Sequence, residues 1–352
     1  MTASGGEEPA SGGAVLSVRD LTVEFPTDDG VVHAVSGVSF DVRAGEVLGV
    51  VGESGSGKSV TSMAILGLLP RSARVRGEVF LDGDELLGKK ESQMRPLRGR
   101  RIAMVFQDAL AALNPVYRVG DQIAEAITSH ASVGRRELRE RVVDLLDVVG
   151  IPNPATRADQ FPHEYSGGMR QRAMIAMAIA NDPAVLIADE PTTALDVTIQ
   201  AQVLEVMGRV QERTRTAIVL ITHDLGVVAG IADRVMVMYA GRQAEIGSVE
   251  QIFYEPRHPY TLGLLASLPR IDRSGEGARL YRIEGQPPSL LHPPAGCAYH
   301  PRCAFARVPG PCDEELPLLH PVDAADPAHR AACHFSGDLV GLTPDDLRMR
   351  SA

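Results

Sequence analysis

The sequence has very few lysines and no surplus of positive charge. Only Lys58, Lys89 and Lys90 occur among its 35 basic residues, and the 352-residue chain has a formal net charge of −10. Proteins that bind nucleic acids usually carry a basic patch or a basic overall balance. The bulk electrostatics of this chain therefore do not suggest a nucleic-acid partner.

The sequence also lacks long apolar runs. Hydrophobic residues make up 44% of the chain, yet no run approaches the roughly 20 apolar residues that a helix needs to cross a bilayer. Residues 1–13 are small, polar and acidic, so we expect a disordered arm here rather than a signal peptide. We therefore expect a cytosolic protein that reaches a membrane only through a partner.

Cysteine is scarce, and its four copies are confined to the proline-rich segment 296–334. Intervals of 5, 8 and 20 residues separate Cys297, Cys303, Cys312 and Cys333. A cytosolic compartment disfavours disulfides, and four thiolates suit zinc or an iron–sulfur cluster, with free thiols as the third interpretation. The spacing has no C-x-x-C, which is common in zinc ribbons, and loose loops around a cuboidal cluster accept wider spacing, so both zinc and the cluster stay open at this point. His300 and His334 are candidate substitute ligands, or neighbours that support the ligands.

The clearest motif is a glycine-rich loop that fits the pattern G-x-x-x-x-G-K-[ST]. Its residues are Gly52, Glu53, Ser54, Gly55, Ser56, Gly57, Lys58 and Ser59. The apolar run 47–51 predicts a buried strand before this loop, and residues 60–69 predict a helix after it. The backbone N–H groups of such a loop converge on phosphate oxygens. Lys58 would bridge the outer phosphates, and the Ser59 hydroxyl would hold Mg²⁺.

Two further apolar strands end in polar side chains. The strand at 184–188 runs into Asp189 and Glu190, and the strand at 217–222 runs into His223. In P-loop enzymes such strands lie beside the phosphate loop. Asp189 would then face Mg²⁺ through water, Glu190 would polarise the attacking water, and His223 would reach the γ-phosphate.

The N-terminal part of the chain has the alternation of antiparallel strands. Residues 15–25 and 34–42 alternate apolar and polar side chains, and Asp28-Asp29-Gly30 is a turn signal between them. Phe25 at the end of the first strand has two equal interpretations, which are stacking on an adenine ring and packing in the core.

Residues 108–172 change to helical spacing and predict a helical insert between strands. Ser166 is positioned to cap a helix that begins near Met169, and Gly167 and Gly168 leave the start of that helix bare. A bare helix start is a second candidate anion site, although an ordinary capped helix explains this stretch equally well when it is taken alone.

Together these motifs resemble those of an ABC-type ATPase over residues 14–250. The matching features, in that family's order, are the phosphate loop, Gln107, Ser166-Gly167-Gly168, Asp189-Glu190, Asp196 and His223. The resemblance implies an α/β fold with a RecA-like core, an antiparallel β subdomain and a helical subdomain. It also implies that Gln107 senses the γ-phosphate and Mg²⁺, and that Asp196 belongs to the nucleotide-binding set.

The same resemblance implies a head-to-tail dimer of ATPase domains. Each ATP would lie between the phosphate loop of one subunit and Ser166-Gly167-Gly168, here called the signature, of the other. The residue before the signature is Tyr165, where many members of the family have leucine. Because this chain has one loop and one signature, it needs a second ATPase subunit, either similar or identical.

Further segments look like the oligopeptide/dipeptide/nickel importer branch of that family. They are Gln107-Asp108, Leu113-Asn114-Pro115 and Pro256-Arg257-His258-Pro259-Tyr260-Thr261. Residues 251–335 match the C-terminal extension of that branch and leave 336–352 as a tail. In that branch the cysteines of the extension are associated with a [4Fe–4S] cluster, with zinc as the alternative here.

The resemblance to this branch implies an ATP-hydrolysing subunit at the cytoplasmic face of the membrane, where it powers import of oligopeptides or dipeptides. Its partners would be two transmembrane permeases, whose coupling helices the insert near residues 108–130 would hold, and an external solute-binding protein.

The first alternative is an importer of nickel or another small solute. The second alternative is a soluble ABC ATPase that acts on nucleic acid or the ribosome. Such proteins usually carry basic surfaces, and either long inserts or two ATPase domains in one chain. This alternative is disfavoured because the chain has neither. A regulatory module with a dead site is disfavoured because Glu190 and His223 are both present.

Overall fold

The computed structural model describes residues 13–107, 112–193, 195–268 and 281–350. The expected disordered arm lies outside the described residues except for Gly13, and so does Asp108 of the importer-type motif. None of the helices in these ranges combines the length and the hydrophobicity that a membrane span requires.

Strands of the described residues form two sheets. They are β1 (Ala14–Thr27), β2 (Gly30–Arg43), β3 (Val47–Val51), β4 (Arg74–Leu81), β5 (Asp84–Glu85), β6 (Ile102–Val105), β7 (Val185–Asp189), β8 (Ala217–Thr222), β9 (Arg234–Tyr239), β10 (Arg242–Ser248), β11 (His320–Pro321) and β12 (Arg330–Ala331). The larger sheet has the order β11-β12-β10-β9-β3-β8-β7-β6, and the smaller has the order β2-β1-β4-β5.

Helices of the described residues connect these strands and cover the sheets. They are α1 (Lys58–Ile65), α2 (Glu91–Met94), α3 (Val119–Thr128), α4 (Arg135–Val148), α5 (Pro154–Arg157), α6 (Gly167–Ala178), α7 (Val197–Thr214), α8 (Leu225–Ala229), α9 (Val249–Tyr254), α10 (Pro259–Ala266), α11 (Pro311–Glu314) and α12 (Pro344–Arg350). Short 3₁₀ turns occupy Pro162–Glu164, His300–Arg302 and Ser336–Leu339.

The centre of the larger sheet is parallel. Strand β3 pairs in parallel with β8 and β9, and β7 pairs in parallel with β6 and β8. Strands β3, β7 and β8 are buried at every residue, as expected of parallel strands that are covered on both faces. The strands predicted at 47–51, 184–188 and 217–222 are thereby confirmed, and their carboxyl ends meet at one edge of the sheet.

The smaller sheet confirms the antiparallel pair expected near the N-terminus. Strands β1 and β2 pair from Ala14↔Arg43 to Thr27↔Gly30, with Asp28-Asp29 in the turn. Helix α1 covers this sheet from below, since Ala64 and Ile65 belong to the same buried cluster as its strands.

The helical insert forms a separate layer of apolar packing. Helices α3, α4 and α6 contribute Ile123, Leu146 and Ile175 to a buried cluster that continues to strand β7 through Leu186. Helix α6 spans 167–178, close to the prediction. Helix α1 is shorter than the predicted 60–69 because its last turn closes with Gly67 N donating to Ala64 O, at 3.0 Å.

The C-terminal extension contributes strands to the larger sheet. Strand β12 pairs with β10 at Glu245↔Ala331, so the extension lengthens the sheet by two strands. The residues expected as a tail, 336–352, also differ from that expectation. They include helix α12, and the buried Leu339 and Leu347 pack with Leu262 of α10.

Candidate functional site

The phosphate loop turns sharply before helix α1. Gly57 has φ +98, and a Cβ there would lie 2.5 Å from the carbonyl oxygen of Ala34, so only glycine fits. The Lys58 ammonium donates hydrogen bonds of 2.7 and 2.9 Å to the carbonyl oxygens of Gly52 and Glu53. Burial lowers the pKa of Lys58, although the nearby Glu190 and Asp189 oppose this effect. The backbone of the loop therefore binds the ammonium group of Lys58.

A cavity of about 610 Å³ opens over this loop. We call it the phosphate-loop cavity. Its lining residues come from the loop itself and from five other parts of the chain. The lining residues are Ala34, Ser54, Gly55, Ser56, Gly57, Lys58, Ser59, Val60, Gln107, Glu190, His223 and Leu290. The fold therefore brings together the lysine, the carboxylate, the amide and the imidazole that the sequence places far apart.

Two oxygen ligands suited to Mg²⁺ lie next to each other beside Lys58. The Ser59 hydroxyl donates a 3.0 Å hydrogen bond to the Asp189 carboxylate. Burial raises the pKa of Asp189, while the hydrogen bond from Ser59 and the charge of Lys58 act in the opposite direction. Hydroxyl and carboxylate oxygens are hard ligands of the kind that Mg²⁺ takes beside phosphates. The residues present therefore fit the ion that the fold implies.

Glu190 is held at the mouth of strand β7 by its neighbours. Its carboxylate accepts hydrogen bonds from Gln107 Nε2 at 3.1 Å and from the Thr193 hydroxyl at 2.7 Å, and His223 Nδ1 lies 3.4 Å away. Its backbone adopts φ +47, which is uncommon for a residue other than glycine. Such backbone conformations cluster at functional sites. The side chain can therefore present an oxygen to a water molecule in the cavity.

The signature lies elsewhere in the chain's own fold. None of Ser166, Gly167 and Gly168 is among the described residues that line the phosphate-loop cavity. The Ser166 hydroxyl caps α6 by accepting a 3.3 Å hydrogen bond from Met169 N, as predicted. Asp196 likewise caps α7, because its carboxylate accepts from Ile199 N at 3.0 Å. These residues start two helices but do not complete the cavity.

Phe25 is also absent from the described lining of the phosphate-loop cavity. It is half-buried in strand β1 and packs against the apolar cluster of the smaller sheet. This placement corresponds to the core-packing interpretation of Phe25.

The four cysteines line one cavity of about 390 Å³, the cysteine cavity. All four are free thiols. Burial raises the pKa of Cys303 to about 12 and the pKa of Cys333 to about 11, with smaller contributions from the other cysteines. In the described residues, no three His, Cys, Asp or Glu side chains are close enough together to hold a single metal ion.

The two candidate substitute ligands make other contacts. A ring nitrogen of His300 lies 2.9 Å from the carbonyl oxygen of Cys297, and a ring nitrogen of His334 lies 2.9 Å from that of Glu315. His334 lines the cysteine cavity together with His300. Both imidazoles thus support the backbone around the cavity.

The sequence motifs assigned no role in this site to three residues that take part in it. Leu290 lines the phosphate-loop cavity, and its carbonyl oxygen accepts a 3.0 Å hydrogen bond from His33 N. Arg302 forms an ion pair with Glu53 of the phosphate loop, and Tyr260 binds the backbone of Glu53. All three lie in the C-terminal extension. Only Tyr260 belonged to a recognised motif, the importer-type stretch 256–261.

The backbone of the importer-type stretch 256–261 is bound by a buried carboxylate of strand β10. Glu245 of β10 is fully buried and accepts hydrogen bonds from Arg257 N at 2.7 Å and from His258 N at 3.0 Å. His329 of the extension lies 2.8 Å from the same carboxylate. His258 then caps α10, because its Nδ1 accepts a 3.1 Å hydrogen bond from Tyr260 N. The motif therefore fixes the direction in which the extension leaves the sheet.

Comparisons with known proteins agree with this architecture. The sequence matches the ABC transporter family over residues 35–193 and the family described as oligopeptide/dipeptide transporter, C-terminal region, over residues 244–309. A dimeric bacterial ABC transporter cassette of known structure superposes with a TM-score of 0.60 at 24% identity, covering 66% of this chain and 98% of that one. This similarity shows a shared fold.

Closer relatives are transport ATP-binding proteins. The oligopeptide transport ATP-binding protein OppD of Bacillus subtilis (strain 168) is 53% identical over 294 residues, which cover 83% of this chain and 82% of that protein. The dipeptide transport ATP-binding protein DppD of the same organism is 53% identical over 305 residues, with coverage of 86% and 90%. With this identity over most of both chains, and with the nucleotide motifs gathered in one cavity, the protein belongs to the ATP-hydrolysing subunits of ABC transporters.

Proposed function

We propose that this chain powers the import of oligopeptides or dipeptides across the cytoplasmic membrane. The match of residues 244–309 to the C-terminal region of oligopeptide/dipeptide transporters carries this proposal. It is supported by the two relatives named for oligopeptide and dipeptide transport, each 53% identical to this chain.

Uptake by cells tests the proposed solute. Cells that lack this chain should lose uptake of a labelled, protease-resistant tripeptide, and the intact chain should restore it. The Lys58→Ala variant should not restore uptake, because it lacks the ammonium group that binds the outer phosphates of ATP. Nickel uptake, measured in the same cells with ⁶³Ni²⁺, is the matched control. Loss of nickel uptake with unchanged peptide uptake would replace the proposal with the nickel alternative.

The residues of the phosphate-loop cavity have separate roles in this proposal. Lys58 binds the outer phosphates. Ser59 directly, and Asp189 through water, would hold Mg²⁺, which would supply charge neutralisation at the phosphates. Glu190 polarises the attacking water, and His223 contacts the γ-phosphate. The hydrogen bond from Gln107 to Glu190 supports a sensing role for Gln107, because a movement of either side chain would alter the position of the other.

A second ATPase subunit completes the site. The chain carries one phosphate loop and one signature, and the described residues place them in different parts of the surface. We propose that the signature acts on the ATP held by the partner's loop. The partner is a similar or identical subunit.

A dimer assembled from two differently tagged copies tests this arrangement. With Lys58→Ala in one copy and Ser166→Ala in the other, one composite site loses both groups and the second site stays whole. With both changes in the same copy, each site is damaged once. We expect hydrolysis to persist in the first dimer and to be lost in the second. Equal activity in the two dimers would contradict head-to-tail sharing.

The permease partners are proposed to dock beside Gln107. Val116 and Tyr117 are 71% and 57% exposed although they are apolar or aromatic, and they lie shortly after Gln107 in the chain. Contiguous exposed apolar surface is a feature of protein contact sites, and these two adjacent side chains contribute such surface. This surface would hold the coupling helices of two permeases at the cytoplasmic face of the membrane, and the permeases would link the chain to the external solute-binding protein.

The cysteine cavity is proposed to hold a [4Fe–4S] cluster. Four free thiols line one cavity of about 390 Å³, and four thiolates are a donor set that either a [4Fe–4S] cluster or zinc takes. Zinc holds its sulfur ligands about 2.3 Å from one centre, whereas a cuboidal cluster offers four separate iron atoms as attachment points. The resemblance of the extension to that of the peptide-importer branch favours the cluster over zinc. Cluster binding would stabilise the extension, since metal binding and folding are linked.

Iron analysis tests the cluster. Protein purified without oxygen should be brown and contain about four iron atoms per chain. The Cys303→Ser variant should lose the iron and lower the unfolding temperature of the chain, with ATP binding retained. Ser62→Ala, which keeps all four cysteines, is a control for handling losses. One zinc per chain without iron would reject the cluster and keep the four-thiolate site.

A further inference from the structure

The side chain of Glu53, the second residue of the phosphate loop, is held by the C-terminal extension. The Arg302 guanidinium donates two parallel hydrogen bonds to the Glu53 carboxylate, of 2.7 and 3.0 Å. Such bidentate pairs are strong and fix orientation as well as distance. The Arg302 side chain is only 5% exposed, so solvent screens this pair little.

Arg302 is itself held from two sides. Its Nε donates a 2.9 Å hydrogen bond to the carbonyl oxygen of Glu284, and its Nη1 donates to the Tyr239 hydroxyl at 3.2 Å. The guanidinium also lies over the Tyr239 ring, 5.8 Å from its centroid. Because the guanidinium has little freedom of its own, it can impose a position on Glu53.

The backbone of Glu53 is held by a second residue of the extension. Its N–H donates a 2.8 Å hydrogen bond to the Tyr260 hydroxyl. Tyr260 is fully buried, and its ring packs against those of Tyr239 and Tyr299 with centroids 4.6 and 5.4 Å apart. A hydroxyl on a ring packed in this way is a fixed acceptor for the loop.

These contacts fall where the loop holds its lysine. Lys58 donates to the carbonyl oxygen of Glu53 and to that of the preceding residue, Gly52. The charge of Glu53 acts on Lys58, and it is one of the causes that raise the pKa of this lysine. An unpaired carboxylate at this place would also repel the phosphates of ATP. Arg302 offsets the charge of Glu53 and holds its carboxylate away from the cavity, whose described lining does not include Glu53.

We propose that Arg302 and Tyr260 are positioning residues of the ATP site. They act through Glu53, and they hold the phosphate loop with its N–H groups and Lys58 ready for the β- and γ-phosphates. The inference rests on ATP binding by this family of subunits and is independent of the transported solute.

Nucleotide binding by the full-length chain tests the proposal. The variants are Arg302→Met, Arg302→Lys and Tyr260→Phe, and the probes are the ATP analogue AMP-PNP with Mg²⁺ and AMP, which lacks the two outer phosphates. Arg302→Met should weaken AMP-PNP binding roughly tenfold, in proportion to one lost charge-assisted interaction. Tyr260→Phe should weaken it roughly threefold, and Arg302→Lys should recover part of the loss. AMP binding should change less than twofold in each variant.

Arg307→Met is the matched control. Arg307 also lies in the extension and also pairs with a carboxylate, that of Asp338, but neither residue contacts the phosphate loop in the described contacts. It should bind AMP-PNP like the unchanged chain. If Arg307→Met weakens binding as much as Arg302→Met, the effect comes from general loosening of the extension, and the proposal is wrong.

A double-mutant cycle with Glu53→Gln separates positioning through Glu53 from other effects. If Arg302 acts through Glu53, Arg302→Met should add less than about twofold in the Glu53→Gln background. An unchanged tenfold effect in that background would overturn the proposal. Should Arg302→Met lower the unfolding temperature too far for measurement, Tyr260→Phe still decides, because it removes one oxygen and leaves the ring packing in place. Unaltered AMP-PNP binding by a folded Tyr260→Phe would then contradict the role given to Tyr260.

Discussion

The side-chain amide of Gln107 donates a hydrogen bond of 3.1 Å to the carboxylate of Glu190. These residues follow the neighbouring parallel strands β6 and β7, so sheet pairing brings them together. The contact joins the start of the helical insert to the residue proposed to polarise water. A displacement of the insert would therefore change the position of the Glu190 carboxylate.

Glu190→Gln should separate ATP binding from hydrolysis. The amide keeps the size of the carboxylate but cannot accept a proton from water, while Lys58 and the Ser59–Asp189 pair remain. We expect ATP binding close to that of the unchanged chain and turnover lower by about 10²–10⁴ in the assembled transporter. Glu205→Gln, which changes an exposed carboxylate of α7, is the control. Turnover of Glu190→Gln near the control value would refute the role of Glu190.

Gly168→Ala should destabilise the contact between α6 and α7. A Cβ on Gly168 would lie 2.4 Å from Cγ2 of Ile199, closer than real Cβ atoms approach. Overpacking of this kind typically costs about 1–3 kcal/mol. We expect the free energy of unfolding to fall by about that amount in urea titrations of the full-length chain.

The neighbouring glycine provides the control for this prediction. A Cβ on Gly167 would lie 3.9 Å from Leu195, which is ordinary contact, so Gly167→Ala should not overpack. Combining Gly168→Ala with Ile199→Ala removes the opposing methyl group and should recover most of the stability. Equal stability of the two alanine variants would show that Ile199 moves aside without cost.

Stability should depend on pH through His258. Burial lowers the pKa of His258 from 6.5 to about 4. Between these two values the unfolded chain binds a proton that the folded chain does not, so acid favours unfolding. The free energy of unfolding should therefore rise with pH from about 4 to 6.5, by up to about 3 kcal/mol, and this contribution should be complete above pH 6.5.

Urea titrations at pH 4.5, 5.5, 6.5 and 7.5 would measure this dependence (values chosen to span roughly the two pKa values). The slope below pH 6.5 should become shallower in His258→Gln. It should stay the same in His292→Gln, which changes an exposed histidine of the same extension. An identical slope in all three proteins would show that His258 titrates alike in the folded and unfolded chains.

Local patterns in the sequence were enough to predict five strands, β1, β2, β3, β7 and β8, and much of the phosphate-loop cavity. Strand β7 was predicted from its apolar run, which is typical of a strand buried on both faces. Asp189 and Glu190 could be placed because parallel strands end at one edge of the sheet. The phosphate loop depends on local backbone geometry at positions such as Gly57, which the motif encodes directly. These features repeat within short windows of sequence, so a pattern can detect them.

Contacts that depend on tertiary packing could not be predicted in this way. The bond between Glu53 and Arg302 joins residues 249 positions apart, and neither residue belongs to a periodic pattern that points to the other. Leu290 lines the phosphate-loop cavity, and its carbonyl oxygen accepts a hydrogen bond from His33 of β2, far away in the sequence. The expected boundary near residue 250 also rested on a family pattern, whereas apolar packing continues across it.

That shared packing limits how this extension can be exchanged between cassettes. Val51, Val237 and Tyr239 from the larger sheet are buried in the same apolar cluster as Tyr260 and Tyr299 from the extension. A chimera that joins this cassette to a foreign extension would have to match those surfaces, since each large side chain left uncovered costs about 1.5–3 kcal/mol. A substitution at Tyr239 would therefore have to fit the rings of Tyr260 and Tyr299, because the three side chains pack against one another.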